Sequence, residues 1–418
     1  MEDGRRKLVV SLAGSLVLSG ATPAFGSEGL PQDVTTSAAD DAVRETTPKS
    51  KKETRDWSIE LKGRLHYDVG VVETDVPIAG NEGGTPNEIR RARLGIEGDM
   101  PGGLGYRIAL EFANDDPEFA DAYITYEDGG LTLTAGQQNN FQSLEELTSS
   151  NNASTIERAA FTDAFNFQRH LGFSAQFVDG PMLLQAGVFT DNTSDFAEPA
   201  SGHSLGFDGR VVFAPKLQHA QLHFAASGHW LDPADEGSAR RYRQRPLIHA
   251  SPVRIIDTKT IENIDTQLDY GLEALLISGR LHIASELHWL DVKRSVSTNP
   301  GFFGCYAEVG YFLVGDGYRY GDGILRGPKV GSPIGKGGVG AIAANLRYDH
   351  LDLVDVDAAV VGGVQDGVIT GLSWWPTENL RLLADYAHLE YRNAAIAGPN
   401  GERNYAADVL AMRFQITF

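Results

Sequence analysis

The sequence predicts an all-β protein, a transmembrane antiparallel β-barrel of about 16 strands. Three observations predict this fold. From Trp57 onward, segment after segment alternates apolar with polar residues, as strands with two unlike faces do. The segments cluster around the roughly 9–11 residues with which a tilted strand crosses a bilayer. Tight turns and long loops also alternate along the chain, which is typical of outer-membrane barrels.

The amino terminus is predicted to be an export signal covering residues 1–26. A basic head at residues 5–7 precedes an apolar run at 8–18, and Ala24-Phe25-Gly26 places small residues at a cleavage site. A membrane anchor is the weaker alternative, because the run falls short of the roughly 20 apolar residues that a spanning helix needs. Residues 27–55 lack apolar periodicity, which predicts a disordered periplasmic lead-in. The barrel domain is therefore predicted at 57–418.

The alternation is clear in the first strand, where Trp57, Ile59 and Leu61 alternate with Glu60 and Lys62. Apolar residues spaced three and four apart, as in a helix, do not fit these segments. The pattern places sixteen strands near 57–69, 88–98, 104–113, 119–127, 130–137, 168–178, 181–190, 204–214, 219–230, 265–277, 279–290, 304–313, 339–350, 364–375, 380–391 and 405–418.

The connections alternate in length. An even number of strands returns both chain ends to the periplasm, so the tight turns are predicted to be periplasmic and the long loops external. Residues 314–338 are an exception, since they fall on the periplasmic side yet are long and rich in Gly. They predict either an unusual turn or a hairpin that this strand count misses. The tight turns lie at 101–103, 128–130, 179–181, 278–279 and 376–379, and the long loops near 70–87, 138–167, 191–203, 231–264, 291–303, 351–363 and 392–404.

A soluble β-sandwich or a propeller is the competing architecture, since its strands also alternate. Charged residues on the second face of most strands favour a water-filled lumen instead. The segment 410–418 alternates up to Phe418, which resembles the assembly signal of outer-membrane barrels. Aromatic residues also recur near strand ends, where an aromatic girdle is expected, namely at Trp57, Tyr126, Trp230, Trp289, Trp374 and Trp375.

The composition excludes several classes of function. Lys and Arg number 36 against 56 Asp and Glu, a net charge of -20, so nucleic acid is not an expected partner. Cys305 is the only cysteine, which excludes an intramolecular disulfide and a site of clustered Cys ligands. We expect no metal and no cofactor.

The sequence contains only weak matches to catalytic motifs. Gly202-His203-Ser204-Leu205-Gly206 matches the nucleophile pattern Gly-x-Ser-x-Gly, but that motif needs a helix after the serine and a strand pattern follows here. His282 and His288 lie on a polar strand face and are interpreted as solvated lumen residues rather than metal ligands. We therefore expect no enzyme and no catalytic residue.

Several segments together resemble the phosphate-selective porin O and P family, over roughly residues 57–418. The resemblance rests on RRARLGIEG at 90–98, DAYITY at 121–126 and SLEELTSS at 143–150. It is supported by Glu157-Arg158, by Arg169 with Gly172, by GYFLVGD at 310–316 and by LRY at 346–348.

The resemblance implies a sixteen-stranded homotrimer in the outer membrane of a Gram-negative cell, in contact with lipid and lipopolysaccharide. It implies a constriction loop, the third external loop folded into the lumen, and a route for small anions lined by arginines. Members of this family typically carry a lysine shortly before the LEELTS stretch, whereas this chain has GQQNNFQ at 136–142. Neutral amides thus occupy the place where a cation is expected, which argues against a strong phosphate site.

Arginine suits anion passage because its guanidinium stays charged and offers oxyanions a planar fork. Strand parity predicts that Lys62, Arg64, Arg91, Arg93 and Arg107 line the pore. Arg158 and Arg169 flank the predicted constriction loop. We expect Arg91, Arg93, Arg158 and Arg169 to contribute most to a cationic strip. The alternative is that lumen carboxylates such as Glu60, Glu97 and Glu111 pair with these cations and leave no binding site.

The predicted function is that of a porin for passive diffusion of small hydrophilic solutes, with anions such as phosphate or polyphosphate expected. An unselective general porin, an outer-membrane barrel enzyme and an adhesin or receptor remain alternatives.

Overall fold

The computed structural model describes residues 56–81, 83–114, 116–193, 203–233 and 238–418. The predicted signal peptide and the whole of the predicted lead-in lie outside the described residues. Within the described part, no helix is both long enough and apolar enough to span a membrane.

Sixteen antiparallel strands close into a barrel, and each corresponds to one of the predicted strands. Every strand pairs with its neighbour in sequence, and β1 pairs with β16 to close the ring. The strands are β1 Glu60–Thr74, β2 Asn87–Met100, β3 Leu104–Glu111, β4 Glu118–Asp128, β5 Leu131–Asn139, β6 Arg169–Asp179, β7 Met182–Phe189, β8 Leu205–Phe213, β9 Gln221–Asp232, β10 Ile261–Ser278, β11 Leu281–Arg294, β12 Gly301–Val314, β13 Ala341–Asp355, β14 Val360–Thr377, β15 Leu380–Arg392 and β16 Tyr405–Thr417.

Apolar side chains cover the outer face of the strands, whereas most buried charged side chains face the lumen. Ile96 on β2 opposes Ile108 on β3, and these two outward residues are 36% and 43% exposed. The adjacent inward pair is Glu97 and Arg107, whose carboxylate and Nη1 atoms lie 2.8 Å apart. The outer surface of the barrel is therefore apolar and suited to lipid, whereas these charged side chains lie in the interior.

The seam between β1 and β16 depends on a glycine. The Gly63 N–H donates to the Phe418 carbonyl at 2.7 Å, and the Phe418 N–H donates back to the Gly63 carbonyl at 3.0 Å. The Phe418 ring lies over Gly63, so that a Cβ atom at this position would collide with the ring. The first and last strands are thus joined at a site that only glycine fits without displacement.

Three connections fold into the barrel. The inner loop (residues 140–168) contains the short helices α1 Leu144–Leu147 and α2 Ala160–Ala164. The cap loop (residues 238–260) contains the short strands Ser238–Arg240, Arg243–Gln244 and Ile256–Asp257. The turn hairpin (residues 315–340) contains Arg319–Gly321 paired with Ile324–Arg326. The apolar core lies inside the barrel, between these segments and the wall.

The turn hairpin explains the exceptional length of residues 314–338, which form an unusual turn rather than an extra pair of barrel strands. Its Gly323 carbonyl accepts from Arg210 Nη2 at 2.9 Å, and Tyr318 packs edge-on against His282 at 4.9 Å between ring centroids. Because Arg210 and His282 face the lumen, the hairpin enters the barrel from the end that carries the tight turns.

One aromatic prediction is wrong. Trp375 is 5% exposed and points inward, where Phe312 stacks on it at 5.6 Å and the Arg381 guanidinium lies 4.3 Å from its ring. Trp374 and Trp375 are adjacent in a strand, so only one of them can face the membrane. Trp374 faces outward, and its indole N–H donates to the Val339 carbonyl at 2.8 Å.

Candidate functional site: the lumen wall and the inner loop

The inner loop crosses the lumen and is fastened to strands around the barrel. Its amide groups donate to wall carboxylates on β8, β11, β13 and β15, and its carbonyls accept from arginines on β15 and β16. Phe161 of α2 stacks on His288 of β11 at 4.5 Å between ring centroids. It also lies over Gly304 of β12, where a Cβ atom would collide with it. The inner loop is thus held inside the barrel by contacts with strands on several sides.

A β-bulge in β2 shapes the part of the wall that contacts Glu157 of the inner loop. His66 of β1 pairs with Arg91, but the next residue of β1, Tyr67, pairs with Ile89, so Arg90 has no partner across the strand pair. An extra residue of this kind turns neighbouring side chains to the same face. Arg90 and Arg91 accordingly both point into the lumen, and Arg90 forms a fork with Glu157 of the inner loop at 2.8 and 3.1 Å.

Arg91 differs from its neighbours in its contacts. Arg90, Arg93 and Arg158 lie close enough to act on its charge, and so does the Glu157 carboxylate. Among the described residues, the Arg91 side chain makes no hydrogen bond and no direct ion pair. Its guanidinium is therefore available to a solute.

The Asp121 carboxylate on β4 lies close to three of the predicted pore-lining cations. It lies 2.7 Å from Arg169 Nε, 3.1 Å from Arg107 Nε and 4.0 Å from Arg93 Nη1. Arg93 also contacts Glu111 at 3.3 Å. These cations are present at the wall as predicted, but an internal carboxylate partly neutralises them.

The remaining predicted residues, Lys62 and Arg64, lie two positions apart on β1. Lys62 pairs with Glu60 at 2.9 Å and with Glu97 at 3.6 Å, near the end that carries the tight turns. Arg64 donates to the hydroxyls of Ser149 and Ser150 in the inner loop at 3.3 and 3.2 Å. Strand parity therefore places both side chains correctly in the lumen.

Arg158 lies within the inner loop and is bound to other residues of that loop. Its guanidinium donates to the carbonyls of Glu145, Glu146 and Thr148 at 2.9, 3.0 and 3.1 Å, and pairs with the Glu146 carboxylate at 3.0 Å. These bonds join the segment around Arg158 to helix α1 and the residue that follows it. Arg158 adds positive charge beside Arg91, but its hydrogen-bonding capacity is already used within the loop.

The Glu157 carboxyl connects the loop to both sides of the seam. It accepts from Arg90 on β2 and from Arg413 Nη2 on β16, the latter at 2.9 Å. Burial alone would raise the pKa of this carboxyl, but the Arg90 and Arg413 guanidinium groups outweigh burial and hold the pKa below its usual range. Glu157 is thus a permanent negative charge at neutral pH.

The cap loop supplies cations that the sequence analysis missed. Arg254 pairs with Asp163 of α2 at 2.8 Å, and the Arg245 N–H donates to the same carboxylate at 3.4 Å. Arg245 lies within electrostatic reach of Arg243 and of Arg90 on β2. The sequence shows a cluster of arginines at Arg240, Arg241, Arg243 and Arg245. It does not show that the cap loop carrying them folds into the barrel.

Arg90 was missed for another reason. Strict alternation places it outward between Ile89 and Arg91, and a bulge leaves no simple mark in the sequence.

The neutral amides at 137–142 have structural partners. Gln138 accepts from Ser174 at 2.7 Å, Asn140 contacts His170 at 2.7 Å, and the Gln142 amide donates to Asp269 at 3.4 Å. They anchor the start of the inner loop to the wall.

The serine motif does not form a catalytic arrangement. Ser204 donates its hydroxyl to Asp191, and His203 contacts the other oxygen of the same carboxylate at 3.2 Å. A triad requires the histidine between serine and carboxylate, and Ser204 is followed by strand β8. In the described part of the chain, no group of three or more His, Cys, Asp or Glu residues is placed to hold a metal ion.

Comparison with known proteins gives the barrel a context. An uncharacterized protein of Caulobacter vibrioides is 43% identical over 373 residues, which cover 87% of this chain and 74% of that protein. An anion-selective porin from Comamonas acidovorans has a TM-score of 0.55 at 14% identity, over 87% of this chain and all of that one. OmpT of Vibrio cholerae has a TM-score of 0.56 at 10% identity, over 88% and 99%. At such identities these two structures show a shared porin fold.

The family model described as phosphate-selective porin O and P matches residues 59–418, from the first barrel strand to the last. The match spans the bulged arginine strand, the inner loop and the closing seam. The chain belongs to the phosphate-selective porin O and P family.

Proposed function

We propose that this outer-membrane porin conducts small hydrophilic anions by passive diffusion, with a weak preference over cations. The observation that carries the proposal is a continuous series of cations from one end of the lumen to the other. The series begins in the cap loop, passes the bulge in β2 and ends at the tight turns, through Arg243, Arg245, Arg90, Arg91, Arg93, Arg64, Arg169, Arg107 and Lys62.

An anion that enters a narrow passage loses part of its hydration and needs hydrogen-bond donors there. Successive guanidinium groups supply such donors at short intervals, so the ion moves between sites of similar affinity. Weak, repeated binding permits conduction, whereas one tight site would trap the ion. Phosphate and polyphosphate fit the planar fork of arginine.

The narrowest section is proposed to lie between the inner loop and β1–β4, where Arg91, Arg93, Arg158 and Arg169 are expected to act on the solute. The inner loop thus serves as the constriction loop that the family resemblance implies.

A weak preference follows from the carboxylates on the same wall. Asp121 neutralises part of the charge of Arg93, Arg107 and Arg169, and Glu97 pairs with Lys62 and Arg107. These contacts favour the second candidate, an unselective porin, over a phosphate-specific channel. Neither candidate involves catalysis.

Further features rest on the family relationship. A homotrimer embedded in lipid and lipopolysaccharide is proposed, and one form of Vibrio cholerae OmpT is described as a trimer. Export through a cleaved signal peptide at residues 1–26 is proposed as the route to the membrane.

The test is the reversal potential of the refolded protein in a planar bilayer across a KCl gradient, with phosphate then added as a blocker. Anion selectivity that the double variant Arg91→Gln/Arg93→Gln loses supports the proposal. The control is Arg392→Gln, which removes one positive charge from an exposed side chain paired with Asp366 outside the lumen. Cation selectivity, or selectivity that the double variant leaves unchanged, contradicts anion transport. Turnover of a lipid or peptide without conductance would instead indicate a barrel enzyme.

A further inference from the structure

The path of the inner loop is set by side chains of the barrel wall that bind its main chain. We infer that four wall carboxylates, above all Glu286, are positioning residues that hold the constriction of the pore in place. The inference rests on the proposed function, in which the inner loop narrows the passage. The four carboxylates are Asp208, Glu286, Asp349 and Asp385.

Each carboxylate accepts main-chain N–H groups from a different part of the loop. All four are at most 6% exposed, so these bonds are shielded from water. The contacts are Phe141 to Asp208 at 2.8 Å, Leu144 and Glu145 to Glu286 at 2.9 and 2.8 Å, Ile156 to Asp385 at 2.6 Å, and Ala160 to Asp349 at 3.1 Å.

Two wall arginines bind the carbonyl groups in the same way. Arg381 donates to the Asn151 and Ala153 carbonyls at 3.0 and 2.7 Å, and Arg413 donates to the Ile156 carbonyl at 2.6 Å. The wall carboxylates thus accept hydrogen bonds from main-chain N–H groups of the loop, and the wall guanidinium groups donate to its main-chain carbonyls. Main-chain polar groups at the helix starts and in the irregular parts of the loop therefore find partners on the wall.

Every residue type except proline carries the same main-chain N–H and C=O groups. These main-chain contacts therefore hold the loop in a way that does not depend on which side chains the loop carries, in addition to the contacts that its side chains make. Pore-facing residues of the loop can change the charge of the passage while the loop stays in place, whereas changes in the wall displace it.

Glu286 makes the largest number of these contacts. Besides the two amide groups, it accepts the Tyr306 hydroxyl at 2.9 Å, so three donors meet at one carboxylate. Glu286→Gln preserves the shape of the side chain but replaces one acceptor oxygen with an NH₂ group that faces an N–H donor. The first residues of the inner loop then detach from the wall, and the cross-section of the pore fluctuates.

The matched control is Glu273→Gln. Glu273 is also a fully buried wall carboxylate, and it pairs with Arg210 at 2.6 Å. Among the described residues, it makes no hydrogen bond to the inner loop. This variant therefore perturbs a buried charge pair of the barrel without touching the loop.

The experiment compares both variants with the wild-type protein in two measurements. Open-channel current noise and reversal potential report on the passage, and hydrogen exchange of peptides covering 141–147 in detergent reports on the loop independently of conduction. For Glu286→Gln we expect about tenfold or faster exchange, because a lost charge-assisted bond corresponds to at least that factor. We also expect noisier current with weaker charge selectivity, while β-strand peptides exchange as in the wild type.

Glu273→Gln is expected to leave loop exchange and current noise unchanged. Exchange of 141–147 in Glu286→Gln at the wild-type rate would overturn the inference, and so would equal acceleration in both variants. If the wild-type protein conducts without anion selectivity, the proposed function fails, but the exchange comparison still decides whether Glu286 positions the loop.

Discussion

Arg347 on the barrel wall and Glu145 in the inner loop form a buried ion pair, with 2.5 Å between Nη2 and the carboxylate. Arg347 also pairs with Glu308 on β12 at 2.9 Å and lies 4.4 Å from the Tyr306 ring. One guanidinium therefore joins two carboxylates that would otherwise repel each other, and it does so where the loop meets the wall.

Arg347→Gln should strongly destabilise this region, because it leaves two buried carboxylates without their cation. Removing one partner of a buried pair typically costs about 3–5 kcal/mol. The temperature at which the barrel loses its compact mobility in SDS gels measures the effect. Arg392→Gln, at an exposed pair, should cost under about 1 kcal/mol. Equal losses in the two variants would contradict the buried role of Arg347.

Asp121→Asn should strengthen anion selectivity. The substitution removes the negative charge shared by Arg93, Arg107 and Arg169 while keeping the side-chain volume. An interaction of about 1 kcal/mol between unit charges at 4 Å in water corresponds to roughly a fivefold change in the permeability ratio. Reversal potentials in a KCl gradient measure it. A shift toward cations would show that Asp121 acts by orienting the arginines rather than by its charge.

Gly63→Ala should lower the yield of closed barrel, since the added Cβ atom collides with the Phe418 ring at the seam. Refolding yield in detergent, read from the compact gel band, is the measurement. Gly209→Ala is the matched control, because a Cβ atom there meets no other atom within 4 Å. Comparable yields for both variants would mean that the seam adapts to the extra atom.

The loop contacts of Glu157 should persist in mild acid. The native pKa of Glu157 lies below its ordinary value of 4.5, so its stabilising contribution is complete above that pH and is lost as the pH falls further. Between pH 5 and pH 2 the wild-type protein should therefore lose more stability than Glu157→Gln, as followed by thermal unfolding at each pH. Parallel losses in both proteins would rule out Glu157 as the source.

The sixteen strands could be predicted because lipid outside and water inside impose a period of two on each strand. The same rule placed Lys62, Arg64, Arg91, Arg93 and Arg107 in the lumen. It failed at Arg90, where a bulge breaks the period, and at Trp375, where two tryptophans share one strand end.

Contacts between loops and wall were beyond prediction, because each depends on residues far apart in the chain. Ile156 meets Asp385 across 229 positions, and Leu144 meets Glu286 across 142. No local pattern marks such partners. The amides of 137–142 were interpreted as a lost cation site, whereas the structure gives Gln138, Asn140 and Gln142 partners on the wall.

The bulge at Arg90 also governs how densely charge can be placed along the passage. A regular strand presents one inward side chain per about 7 Å of its length. With the bulge, the three inward side chains of Arg90, Arg91 and Arg93 lie within about 10 Å of β2. A single additional residue thus raises the linear charge density of the wall without adding a strand or changing the diameter of the barrel.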